Sequence, residues 1–359
     1  MAPDLPRPSG GIKVIYNYVE HLNALGHDAV VWHGTPGFGY PDLPSTAPVV
    51  AAPDVDAAPG DVLVMPETGG SKWSFLSRGE PVVMLCQGMD FVFSDADFRT
   101  DVPGDYPGWP QAVAVLAVSE AIGTFLERAC TPGFPIHRVP VEIEDYFRPL
   151  PKERRIALMP RRRREDLLGA VQLVRRSGRL DGWEIVLIDA MSQAEVAAEL
   201  GRTAIFLFGA EREGLGLPGA EAMAAGCYVI GFTGDGAKEY LTADVAGVVL
   251  DSDVVGMADL TLDAMHRFDH DRASLQERVD VGRARVRERH SPDAVRAGLR
   301  AAFDSILADG SAQLSRPTTL AHYQVHAPRP GPHWAAYYAA RRGGRRAIDS
   351  ARAVRGRRR

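Results

Sequence analysis

Residues 213–225 read Glu-Gly-Leu-Gly-Leu-Pro-Gly-Ala-Glu-Ala-Met-Ala-Ala. An apolar run, 203–208, precedes them and a second, 227–232, follows. The order is strand, glycine loop, helix, strand, with an acid at each end of the loop, Glu213 and Glu221. Gly214 and Gly216 lack a Cβ, so the backbone can turn sharply and approach a ligand closely. Pro218 suits a helix start, where a missing N–H costs nothing. The unpaired N–H groups of that start favour an anion. Carboxylates accept hydrogen bonds from vicinal hydroxyls. The stretch is therefore suited to hold a phosphate on amides and a polyol on carboxylates, and a nucleotide-sugar presents both. A single acid placed in a helix's first turn for its dipole is the simpler reading. Two acids, two glycines, a proline and two flanking strands together speak against it.

The bulk of the chain sets the frame. Its 359 residues suggest two or three domains. It is 45% hydrophobic and 24% charged, with a formal net charge of −5, so nothing global points to nucleic acid. Only four basic residues are lysines: Lys13, Lys72, Lys152 and Lys238. The three cysteines, Cys86, Cys130 and Cys227, lie far apart and fit a reducing compartment better than a disulfide framework or a zinc site. No run approaches ~18 apolar residues and no signal-peptide pattern opens the chain, so the expected location is cytoplasmic.

Strand and helix signals alternate in both halves, which implies βαβ units and an α/β class. In the first half, residues 12–25 carry apolar positions at helical spacing, with Gly26 as the stop. Short apolar runs at 29–32, 62–65, 82–86 and 113–118 read as strands covered on both faces. Ser119 is placed to cap a helix over 120–128. The segment 91–110 reads as a long loop. Trp109 with Tyr106, and Trp73 with Phe75, are candidates to line an acceptor groove or to anchor loops. In the second half the strands are 156–159, 184–188, 204–208, 228–231 and 247–250. Helices fall near 165–176, 193–200, 218–225 and 255–268, with Ser192 and Glu195 as a capping box. The expected division is 1–148, an acceptor-side unit; 149–310, a donor-binding unit; 311–340, an irregular segment packing back on the first unit; and 341–359, a basic tail. That tail is either solvated and disordered or a contact to an anionic membrane surface.

These motifs resemble the family 4 glycosyltransferases, retaining enzymes of the GT-B fold. The likeness runs through Pro8-Ser-Gly-Gly-Ile-Lys, Leu25-Gly26-His27-Asp28, Val118-Ser119-Glu120, Val139-Pro140 and Asp145-Tyr146-Phe147. It continues through the paired glutamates and Gly247-Val-Val-Leu-Asp251. The resemblance implies two Rossmann-like domains facing across a cleft. It implies that Glu213 contacts the donor sugar, Glu221 the ribose, and the N–H groups of Gly214, Leu215, Gly216 and Leu217 the diphosphate and sugar. Gly10 and Gly11 would form the glycine loop opposite. The family's diphosphate-neutralising Arg and Lys fall in the run Arg161-Arg162-Arg163-Arg164. Arg161 matches the first and Arg164 the second, with Arg163 as the neighbouring choice.

The chain also departs from the family. No strand is readable before Gly10, where Pro3, Pro6 and Pro8 stand; either the opening strand is missing or the chain starts downstream of it. Gln87 occupies the place of a sugar-facing His, with Asp90 nearby as an alternative on the acceptor side. Glu211 and Arg212 replace an aromatic and a small residue. The resulting expectation is transfer of a sugar from a nucleoside-diphosphate donor to a glycan, lipid-linked or small-molecule hydroxyl, with retention and in surface glycan or glycoconjugate synthesis. The nucleotide-sugar is substrate rather than cofactor, and no metal is expected. An epimerase or hydrolase on the same fold, or a non-catalytic donor-binding member of a glycan assembly complex, stands as the alternative.

Overall fold

The computed structural model describes residues 1–41, 43–51, 56–57, 61–67, 81–94, 106–109, 112–308 and 318–319. Trp73, Phe75, most of the 91–110 loop, the basic tail, and 311–340 apart from 318–319 lie outside the described residues.

Runs that are apolar throughout become strands buried on both faces, as parallel sheets require. In the first half β1 (Val31–His33) and β2 (Val49–Ala51) pair in parallel. A four-stranded parallel sheet follows, ordered β3 (Leu63–Pro66), β4 (Val82–Cys86), β5 (Ala112–Ala117) and β6 (Ile136–Arg138). Among the described residues no strand lies before α1 (Gly10–Ala24), and residues 1 and 2 bond to strands of both first-half sheets. The Met1 amine donates to the Val64 carbonyl (2.7 Å), and the Ala2 N–H donates to the Trp32 carbonyl (2.8 Å). Residues 1 and 2 thus run between β1 and β3 and join the two sheets. Helix α2 (Glu120–Ala129) starts where expected, with the Ser119 hydroxyl accepting from the Ile122 N–H.

The second half is one five-stranded parallel sheet. Its strands are β7 (Glu153–Leu158), β8 (Glu184–Leu187), β9 (Thr203–Gly209), β10 (Tyr228–Phe232) and β11 (Gly247–Val249), in spatial order β11-β10-β9-β7-β8. Leu207 lies in register with Leu158 on one side and Ile230 on the other. Helices α3 (Arg164–Arg176), α4 (Gln193–Arg202), α5 (Leu217–Ala224), α6 (Val254–His270) and α7 (Arg272–Arg289) cover it. The Ser192–Glu195 capping box is formed in both directions. The chain order reverses between β7 and β9, so the loops leaving these strands open a crevice at a topological switch point. Those loops carry Arg161 to Arg163 and Glu213.

Helix α8 (Pro292–Ala308) lies within the second unit of the sequence reading, but it packs on α1 and the first sheet. Val295, Leu299 and Phe303 are buried there, and the Phe303 ring meets His27 at 5.7 Å. By packing, α8 belongs with the first half. The two crossings between halves are tied together: the Ile143 N–H donates to the His290 carbonyl (3.0 Å), and His290 Nδ1 meets the Val141 carbonyl at 2.8 Å. Tyr106 and Trp109 are each 2% exposed. Both belong to the buried core cluster that also holds residues of β4 and β5, so they are core anchors and line no groove among the described residues. Among the described residues no helix is long and apolar enough to cross a membrane.

Candidate active site

Glu213 lies on the loop between β9 and α5, and the loop is braced from behind. Gly236 N–H donates to the Glu213 carbonyl (3.1 Å), and the Tyr240 hydroxyl donates to the Gly216 carbonyl (2.6 Å). Gly216 caps α5 with φ of 82°, a left-handed conformation that favours glycine, and an added Cβ would meet the Phe208 ring at 2.8 Å. Pro218 is in the first turn of α5, as its missing N–H allows.

The glycine loops of the two halves touch. A Cβ on Gly214 would lie 1.9 Å from the Gln87 carbonyl oxygen, so only glycine permits this approach across the cleft. Gly10, the first residue of α1, faces Leu217, the first residue of α5; a Cβ added to Gly10 would lie 2.9 Å from Leu217 Cδ1. Gln87 Nε2 donates to the Gly11 carbonyl (3.1 Å) and ties the loop after β4 to the start of α1. Asp90 sits on a single 3₁₀ turn, Met89–Phe91, 3.7 Å from Arg212. Leu215 is buried within the loop.

Four arginines in a row acquire different positions. Arg162 Nε is 3.6 Å from Glu213 Oε1. Burial raises the Glu213 pKa, while Arg162 and Arg161 oppose that rise. Arg163 is the N-cap residue of α3, with a left-handed φ of 48°, and its guanidinium turns to Asp251, Asp166 (3.1 Å) and Ser252 Oγ (2.9 Å). Arg164 is exposed on the first turn of α3. Arg162 is thus the arginine that meets Glu213. Nothing in a run of identical side chains distinguishes it; the backbone does.

Glu221 lies one turn into α5 and is 7% exposed. Burial pushes its pKa up to about 7, with Lys13 opposing and Glu144 adding to the rise. It faces a cavity of about 280 Å³, counting the open mouth, lined also by Gly10, Lys13, Asn17, Glu144 and Leu217. Among the described residues the Glu221 carboxylate has no hydrogen-bond partner. Glu142, on the same wall, is committed to His21 (2.6 Å) and Asn17 (2.8 Å), which lower its pKa against burial. Lys13 and Asn17 lie on the helix whose Gly10 and Gly11 the sequence singles out, and Glu144 on the crossing between the halves; that they meet at Glu221 is a long-range contact with no local signal. The one available signal was compositional, the lysine itself, in a chain whose other bases are nearly all arginine. Glu67 was missed too. It follows β3 directly and is 6% exposed, its pKa is raised to about 7 by burial, and it accepts backbone hydrogen bonds from Gln87 and Gly88. It therefore positions the loop that carries Gln87.

With this geometry in place, the chain can be set beside known proteins. Residues 183–278 match the family model described as glycosyl transferases group 1. That segment spans β8 to α7 and contains Glu213, Glu221 and the loop between them. An alpha-1,6-glucosyltransferase of Actinobacillus pleuropneumoniae serotype 7 is 38% identical over 104 residues, 28% of this chain and 32% of that one. The chain thus matches about a third of that relative's length. A sucrose-phosphate synthase from Thermosynechococcus elongatus superposes with a TM-score of 0.59 at 14% identity, covering 84% of this chain and 94% of that one. Anabaena HepE, solved with UDP and glucose, gives a TM-score of 0.52 at 14% identity, over 67% and 77% of the two chains. These likenesses settle the architecture as α/β of the GT-B type, two Rossmann-like units facing across a cleft.

Proposed function

We propose that the protein is a glycosyltransferase that binds a nucleoside-diphosphate-sugar in the cleft between its halves and moves the sugar to an acceptor hydroxyl. The observation that carries this reading is Glu221, a carboxylate 7% exposed, without a protein partner, aimed into a cavity between two helix N-termini. A ribose diol would supply the missing donors. The N-termini of α1 and α5 carry no acidic residue in their first turns, so their amide ends are left for an anion. HepE's bound UDP and glucose, the glucosyltransferase likeness over 104 residues, and the glycosyl transferases group 1 match across Glu213 and Glu221 support the same ligand class.

In this reading the donor diphosphate lies against Gly10, Gly11 and the N–H groups of Gly214, Leu215, Gly216 and Leu217. Glu213 accepts from hydroxyls of the transferred sugar. As the anomeric bond breaks, charge grows on the diphosphate, and Arg161, Arg162 and Arg164 with the α5 N-terminus stabilise it without reorganising. The acceptor attacks from the face the diphosphate leaves, which keeps the anomeric configuration and needs no nucleophilic carboxylate. Gln87 and Asp90 lie on the acceptor side. No metal has a role in this scheme, since guanidinium groups and the helix dipole take that charge. The setting proposed is surface glycan or glycoconjugate synthesis, by analogy of fold. The closed contact of Gly214 with Gln87 means the halves part to admit the donor.

A nucleotide-release assay across a panel of donors tests the proposal. Turnover that depends on acceptor, and falls ~10² or more in Glu213→Ala, is expected. Equal release without acceptor would indicate a hydrolase, and donor binding without turnover a non-catalytic protein.

A further inference from the structure

Lys13 has no ion pair within 4.0 Å among the described residues, although it is a half-buried cation on a cavity wall. It stands on the first turn of α1, facing the start of α5, and the charge it acts on is Glu221. Among the described residues the cavity lining thus holds one cation without an ion pair, Lys13, two carboxylates without one, Glu221 and Glu144, and two helix N-termini. The Glu142 carboxylate is already hydrogen-bonded to His21 and Asn17, and no ion pair joins it to the lysine among the described residues. An ammonium group on a flexible stem is a compact charge that can reach a phosphate while its carbons stay packed.

We propose that Lys13 is a donor-binding residue that holds the diphosphate from the first half, opposite the arginines of the second. The inference rests on the cleft being the nucleotide site, and it assigns the phosphate end to α1 while Glu221 holds the ribose end. With donor absent, Lys13 lowers the cost of burying Glu221; with donor bound, it turns to phosphate and Glu221 takes the diol. Lys13 thereby couples cleft closure to the diphosphate.

The test is equilibrium binding by calorimetry of uridine, UMP and UDP, with the guanosine and adenosine series in parallel. The proteins are wild type, Lys13→Met, Lys13→Arg and Glu221→Gln, each checked for an unchanged far-ultraviolet spectrum. Methionine keeps the stem's packing, and arginine keeps the charge. In Lys13→Met the diphosphate should lose roughly tenfold or more in affinity while the nucleoside is unchanged. Lys13→Arg should recover most of the loss, and Glu221→Gln should weaken every member of the series alike. Equal losses for nucleoside and diphosphate in Lys13→Met, or no loss, overturn the role of Lys13. If Glu221→Gln still weakens the whole series, the nucleotide reading survives that result. Wild type binding no nucleotide of any base overturns both.

Discussion

Glu221→Gln separates stability from function at one carboxylate. In the folded chain the Glu221 pKa is about 7, against an ordinary value of 4.5, because burial penalises the charged form. The sign follows from linkage. Stability is complete below about pH 4.5, where the group is protonated in both states, and is lost as pH rises through 7. The gap, 7 less 4.5, corresponds to about 3 kcal/mol at 1.36 kcal/mol per pH unit. About 2–3 kcal/mol of this falls between pH 5 and pH 8, since part is already lost at pH 5. Glutamine retains the shape and cannot ionise. Its own burial cost is the same at both pH values, and so is the titration of buried Glu67, which both proteins keep. Urea unfolding of the two proteins at pH 5 and pH 8 should therefore show the variant gaining about 2–3 kcal/mol on wild type across that range. The same variant should bind nucleotides more weakly, a gain in stability opposed to function. A gap between the proteins that does not change with pH would refute the reasoning, because it would mean a carboxylate already solvated.

Gly214→Ala should hold the halves apart, since its Cβ would fall 1.9 Å from a backbone oxygen of the other half. Turnover should drop ~10² with the far-ultraviolet spectrum unchanged and the radius of gyration by X-ray scattering increased; unaltered kinetics would count against the close contact. Arg162→Ala removes the nearest cation to Glu213 and so should raise the Glu213 pKa further. The acid limb of the kcat/KM profile should move to higher pH, whereas an unmoved limb would show that the pair is not coupled. Ser192→Ala should cost about 1 kcal/mol through the lost cap, read by urea unfolding, and an unchanged midpoint would show that the cap carries no stability.

Most of the second half was legible in the amino-acid order alone. Runs such as 203–208 and 228–231 are apolar at every position, and Ser192, Glu195 and Pro218 mark helix starts by chemistry that needs no tertiary partner. The paired acids were legible for the same reason, being local to one loop. Long-range choices were not. Whether Arg161, Arg162, Arg163 or Arg164 meets Glu213 depends on the left-handed backbone at Arg163, which sends that side chain to Asp251 and Asp166. Gly214 read as room for a ligand, while the structure shows it also makes room for the Gln87 carbonyl. Tyr106 and Trp109 suited a sugar platform by type, but both are buried in the core cluster of the first half, a tertiary outcome that no local pattern signals. The bonding of residues 1 and 2 to Val64 and Trp32 could not be read from so short a piece.

A crystal structure of the protein with a nucleoside diphosphate bound tests the central claim most directly. The account predicts ribose hydroxyls ~2.6–3.2 Å from the Glu221 carboxylate and the phosphates between the first turns of α1 and α5. A nucleotide seated outside the cleft, or one whose ribose turns away and leaves Glu221 unpartnered, would contradict it.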